Sequence, residues 1–178
     1  MHRIFAALPV PADITERLIP LRAEIAGARW RQREHFHITL QFYGEVKPDI
    51  AEDIADALER ISAPVLSLQL AGVGWFGRKE PHSLYARIAD DEALRGLAHD
   101  CHRIARKLGV RTDARPFKPH ITLAYCHLSP LPDVMAWSED KQALSSDPFF
   151  VDRFHLFESF TSRSRQSRYE AQATYPLG

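Results

Sequence analysis

Hydrophobic and polar positions change period several times along the chain, and each change marks an element. Residues 3–8 (Arg-Ile-Phe-Ala-Ala-Leu) are a short apolar run closed by Pro9 and Pro11, which predicts a strand. From Asp13 the apolar residues Ile14, Leu18, Leu21 and Ile25 fall on one helical face, and Asp13 with Glu16 has capping-box spacing. Pro20 predicts a kink or break there, and Gly27 a stop. Residues 35–43 are rich in β-branched and aromatic side chains and predict a strand ending at Gly44. Pro48 opens a second helix with Ile50, Ile54, Ala57, Leu58 and Ile61 on its apolar face, and Pro64 ends it. Residues 65–71 alternate with period two, the mark of a half-buried strand. A glycine-rich basic loop, Gly72 to Pro81, and a partner strand over 82–88 follow. Asp90, Asp91 and Glu92 suit the start of a third helix, with Leu94, Leu97, Cys101, Ile104, Ala105 and Leu108 as its apolar face and Gly109 as its stop. Residues 120–126 predict a strand, 129–147 a surface loop or irregular helix, and 149–157 and 168–174 the closing strands.

Hairpin-like neighbours outnumber strand–helix–strand crossovers, so the class is α+β with antiparallel sheets. At 178 residues, and without a low-complexity linker, the chain reads as one domain over 1–178. Lys plus Arg equals Asp plus Glu, 23 each, so a protein that coats long nucleic acid is excluded and local grip on an end is not. Cys101 and Cys126 are too few for a disulfide scaffold and read as reduced thiols. The N-terminus lacks a long apolar region and no apolar run approaches the roughly 20 residues needed to span a bilayer. A cytoplasmic protein without membrane contact is the expectation.

One repeat stands out. His-Ile-Thr-Leu occurs at His37–Leu40 and again at His120–Leu123, 83 residues apart. Chance supplies roughly 0.002 copies of that tetrapeptide in a chain of this composition, so two copies point to two related halves. An aromatic residue follows each histidine by five positions, Phe42 and Tyr125. On a strand, His37 and Thr39 share one face while Ile38 and Leu40 take the other, and the same holds for His120 and Thr122 against Ile121 and Leu123. Two such strands brought together offer two imidazoles and two hydroxyls to one cleft. One neutral imidazole can accept a proton while a charged one donates, and the hydroxyls with a nearby cation can hold charge on a phosphoryl group. Arg115 and Lys118 flank the entry to the second copy, stiffened by Pro116 and Pro119, and an arginine fork there can meet a phosphate. Each motif lacks a neighbouring carboxylate or further histidine at ligand spacing, which argues against a metal centre.

These residues resemble the two-histidine (2H) phosphoesterases, and within them the RNA 2′,3′-cyclic phosphodiesterases historically called 2′-5′ RNA ligases. Arg3–Leu8, Phe36–Leu40 with Tyr43-Gly44-Glu45-Val46, Arg115–Leu123 and Leu156-Phe157-Glu158-Ser159 carry the likeness, with Tyr169 and Pro176-Leu177 after them. The resemblance implies a bilobal, pseudo-twofold α+β fold: two antiparallel sheets, flanked by helices, around a central cleft. It implies hydrolysis of RNA 2′,3′-cyclic phosphate ends to 2′-phosphomonoesters without metal or cofactor, with reversible 2′-5′ ligation beside it. His37 would be the proton donor to the leaving 3′ oxygen and His120 the acceptor that activates water, with Thr39, Thr122 and Arg115 on the phosphate. The expected partners are RNA 3′ ends bearing the cyclic phosphate, tRNA fragments among them, or small cyclic nucleotides, and the expected state is a monomer. Two departures stand against this pattern. Ala124 and Tyr125 occupy positions where the family commonly carries an arginine, and the basic segment 161–168 lacks the expected hairpin glycine.

Other readings share the same residues. His2, His82, His99, His102, His127 and His155 read as structural or exposed, and His35 as structural despite sharing a strand face with His37. Trp30, Phe42, Tyr43 and Tyr125 read first as packing. Trp75-Phe76-Gly77, placed in a loop, is the exception, and Trp75 joins Phe42 and Tyr125 as a candidate wall for the substrate. A non-catalytic RNA- or nucleotide-binding module and a phosphodiesterase acting on a small cyclic nucleotide remain the alternatives.

Overall fold

The computed structural model describes residues 1–162 and 167–178. In chain order the first elements are β1 (His2–Pro9), α1 (Ala12–Leu18), β2 (Ala28–Trp30), β3 (His37–Val46), α2 (Pro48–Glu59), β4 (Leu66–Leu68) and β5 (Leu70–Phe76). They are followed by β6 (Ser83–Ile88), α3 (Glu92–Lys107), β7 (His120–Cys126), α4 (Leu131–Lys141), β8 (Phe149–Val151), β9 (Arg153–Thr161) and β10 (Ser167–Pro176).

The chain builds one eight-stranded antiparallel sheet, in two halves that meet at a seam, and a second sheet of two strands. In one half the order is β10-β9-β1-β3, with β1 central and buried from Ile4 to Leu8. In the other the order is β7-β6-β5, with β2 added to β7. β3 and β7 join through a single antiparallel partner pair, Ile38 with Ile121, so the seam runs through the middle of both tetrapeptides. β1, α1 and β3 repeat the order of β6, α3 and β7, which is the pseudo-twofold relation the repeat implies. β4 and β8 form a separate two-stranded ribbon. Ile38, Leu40, Ile121 and Leu123 are all buried in one core, and α3 packs on β3 behind them. Among the described residues no helix is long and apolar enough to cross a membrane.

Local rules account for most boundaries. α2 begins at Pro48, where a missing N–H is harmless, and α3 is capped by the Asp91 carboxylate, which accepts from the Leu94 N–H at 2.8 Å. Pro20 ends α1 at Leu18, leaving a 3₁₀ turn over Ile19–Leu21. Asp13 lies inside α1 and makes no cap, because Pro11 takes the N-cap position. Gly27 has φ 76°, and a Cβ there would lie 2.0 Å from the His127 carbonyl oxygen, so the turn into β2 requires glycine.

Three expectations need correction. The stretch 65–71 is two strands, and 72–76 continues β5, so Trp75 and Phe76 are on a strand and not in a loop. The hairpin turn is confined to the residues between Phe76 and Ser83. The region 129–147, read as a surface loop or irregular helix, contains the regular helix α4: Pro130 is its N-cap and Pro132 sits in its first turn, where a proline is tolerated. β2, three residues long, carried no period to detect. Of the basic segment 161–168, residues 163–166 lie outside the described residues.

Candidate active site

Directly opposed residues of an antiparallel pair point to the same side of a sheet. Ile38 and Ile121 therefore share the core side, and His37, Thr39, His120 and Thr122 share the other. All four are half-buried, against full burial of the Ile and Leu positions. The seam thus collects the polar half of both tetrapeptides on one face.

Matching irregularities shape that face. Between β1 and β3 the register steps from Ala7–Thr39 to Ala6–Gln41, leaving Leu40 as an extra residue. Between β6 and β7 it steps from Tyr85–Thr122 to Leu84–Ala124, leaving Leu123 extra. The two bulges fall on the same residue of each tetrapeptide. Each reverses the alternation once. Phe42 and Tyr125, five residues after their histidines, are thereby returned to the imidazole face, opposite Phe5 and Ser83 respectively. Both are substantially exposed, at 45% and 42%.

The imidazoles are held alike. The His37 Nδ1–H donates to the His35 carbonyl at 2.8 Å, and the His120 Nδ1–H to the Lys118 carbonyl at 2.6 Å. A carbonyl only accepts, so in the neutral ring Nε2 carries the lone pair on each histidine. Aromatic rings fix the planes. Phe5 lies 5.0 Å from the His37 ring and Tyr169 presents an edge at 5.5 Å. Phe76 and Tyr85 lie 5.0 and 5.3 Å from the His120 ring. Gly74 makes room for the second of these, since a Cβ there would be 2.6 Å from the Tyr85 hydroxyl.

Burial pushes the His37 pKa down to about 4; the bond to His35 opposes this, while positive charge on Arg31, His120 and His35 adds to it. Burial also lowers His120, opposed by its bond to Lys118. Both rings are therefore neutral at pH 7, and an anion beside them would favour a proton on one of them. Burial raises both thiols, Cys101 to about 12, so neither is a ready nucleophile.

The cation beside His37 is Arg31, which follows β2. Its N–H donates to the Leu123 carbonyl at 2.8 Å, and its Nη2 to the Tyr169 hydroxyl at 2.8 Å. Its guanidinium lies 5.1 Å from the centre of the Tyr125 ring and 5.7 Å from that of Tyr169. Among the described residues no carboxylate pairs with it. Sequence reading missed Arg31 because its short strand has no signature, although the missing arginine at Tyr125 was a hint that a cation comes from elsewhere. Arg115 is exposed, and its guanidinium Nε donates to Asp113 at 2.8 Å within its own loop. Trp75 is half-buried on β5, its indole N–H donating to the Arg78 carbonyl at 2.9 Å. Among the described residues no group of three or more His, Cys, Asp or Glu side chains has metal-binding spacing.

The model of LigT-like phosphoesterases matches residues 8–85 and 88–166, one stretch in each half of the chain. The chain belongs to the LigT-like phosphoesterase family. An RNA 2′,3′-cyclic phosphodiesterase from Geobacillus stearothermophilus is 30% identical over 97% of this LigT-like chain, which spans 56% of that relative's length. One from Archaeoglobus fulgidus is 30% identical over 68% of the chain and 70% of its own length. A crystal structure of Escherichia coli LigT complexed with 3′-AMP superposes with TM-score 0.80 at 25% identity, covering 99% of this chain and 98% of that one.

Proposed function

We propose that this LigT-like protein hydrolyses RNA 2′,3′-cyclic phosphate ends to 2′-phosphomonoesters by acid–base catalysis between His37 and His120. One observation carries the reading: the sheet seam puts two imidazoles on one face, each with Nδ1–H tied to a backbone carbonyl and Nε2 left for proton transfer. In this mechanism Nε2 of His120 takes the proton of the attacking water, and the His37 imidazolium gives a proton to the departing 3′ oxygen. Negative charge on phosphorus is held by the hydroxyls of Thr39 and Thr122 and by Arg31. Arg31 replaces Arg115 as the favoured cation, because its charge acts on His37 and it has no acidic partner among the described residues, while Arg115 is engaged by Asp113. His37 loses its proton easily in the empty site, and the phosphate anion is what restores it, so the acid is armed only when substrate is bound. Attack by an RNA 5′-hydroxyl in place of water gives the 2′-5′ ligation of the same scheme.

The test is a short RNA ending in a 2′,3′-cyclic phosphate, incubated with the protein in EDTA, its products resolved as 2′- and 3′-phosphates. A 2′-phosphate product, slowed about 10²-fold or more by His37→Ala or His120→Ala, is expected. Binding without turnover indicates a non-catalytic module. Turnover of small cyclic nucleotides alone changes the substrate, and loss of turnover in chelator indicates a metal centre.

A further inference from the structure

Beside His120, on the side away from Arg31, lies a cavity of about 370 Å³ that the mechanism above leaves unused. Its size is in the range that accepts a ligand moiety, roughly 300–1,000 Å³. Phe76 and Tyr85, the rings that hold the His120 imidazole, form part of its wall, so the cavity lies next to the site and shares those two rings with it. Three cations line it, Arg78, Arg87 and Lys118, and no acidic residue does. Among the described residues none of the three forms an ion pair. In a chain with equal numbers of acidic and basic residues, three unpaired cations around one space are a local excess that a bound anion relieves.

Each cation is placed by the fold. Arg87 is the direct cross-strand partner of His120 and so points to the same face. Lys118 supplies the carbonyl that holds His120. Arg78 sits in the hairpin turn at φ 46°, a strained conformation for a side chain of its size, and its carbonyl is pinned by the Trp75 indole N–H. Phe76 adds aromatic surface on the His120 side of the cavity, which suits a nucleotide better than a bare inorganic anion.

We propose that this cavity is a second phosphate subsite, holding an RNA phosphodiester next to the cyclic phosphate at the seam. The inference rests on the reading of the seam as an RNA-end phosphodiesterase, and it makes an oligonucleotide, not a mononucleotide, the preferred substrate. The phosphodiester has two possible sources, the strand that ends in the cyclic phosphate or a separate strand that carries a 5′-hydroxyl.

The experiment compares adenosine 2′,3′-cyclic phosphate with the dinucleotide ApA ending in a 2′,3′-cyclic phosphate, for wild type and for Arg78→Gln, Lys118→Gln and the double variant. If the reacting strand fills the cavity, wild-type kcat/KM is about 10-fold or more higher for the dinucleotide, and the double variant brings the ratio near one. Wild-type preference for the dinucleotide weakens as salt rises, and that of the double variant does not. If a separate strand fills it, that preference is absent, but plain ApA competes with the mononucleotide in wild type and not in the double variant. Equal ratios and equal competition in wild type and double variant overturn the proposal. Should the wild type cleave neither substrate, the phosphodiesterase reading fails by itself. Calorimetric binding of ApA then decides the subsite: affinity lost in the double variant supports it, and unchanged affinity overturns it.

Discussion

Lowering the pH from 7 to 4 offers residue 37 a proton that the unfolded chain takes and the folded chain refuses. The ordinary histidine value of 6.5 applies when the chain is unfolded, and burial brings it to about 4 in the folded protein. The sign follows from proton counts. Above pH 6.5 neither state binds the proton, and stability does not depend on it. Between 6.5 and about 4 the unfolded state binds more, so stability falls as pH falls; below about 4 both states bind it and the loss levels off. Each pH unit in that window is worth about 1.4 kcal/mol, so His37 alone removes about 3 kcal/mol. That is a large part of a typical domain's stability. The assay is urea unfolding of wild type and His37→Gln at pH 7, 5.5 and 4. His120 and His155 are also lowered by burial and steepen both curves, but the difference between the two proteins isolates residue 37. That difference should shift by about 3 kcal/mol in favour of the variant between pH 7 and pH 4. A difference constant within about 0.5 kcal/mol would show that His37 keeps an ordinary affinity for protons, and would refute the account of its burial.

Four further outcomes follow from the same geometry. Arg31→Gln should lower kcat/KM by 10- to 10²-fold, on the order of one lost charged contact to the transition state, and move the His37 titration, read by NMR, toward higher pH. An unmoved His37 titration would show that the guanidinium does not act on that ring. Gly74→Ala should drive Tyr85 off its place against His120 and lower stability by about 1–3 kcal/mol in urea unfolding, with a fall in turnover. Ile121→Ala empties the fully buried centre of the seam and should cost about 2–5 kcal/mol, measured the same way. Arg115→Gln should leave turnover within about twofold of wild type, since its guanidinium is held by Asp113 at the surface.

By itself the sequence determined the α+β class, the helices α2 and α3 with their proline and aspartate starts, and the two tetrapeptide strands with their polar and apolar faces. Those features depend on residues close in the chain: caps, prolines and alternation act over a few positions, so local pattern carries them. Helix α4 is legible only as a loop or irregular helix, because two prolines punctuate its start; at the N-cap and in the first turn they are harmless. Tertiary structure alone decided the rest of the site. Phe42 and Tyr125 stand at an odd offset from their histidines, and plain alternation puts them on the core side; bulges at Leu40 and Leu123 turn them back. A bulge is set by the register against β1 and β6, far away in sequence, so no local pattern announces it. The charge of Arg31 acts on His37 because β2 adds to the edge of β7, an addition of three residues with no period of its own. The identity of the residues in the repeat named the chemistry, and the pairing of distant strands decided which side chains surround it.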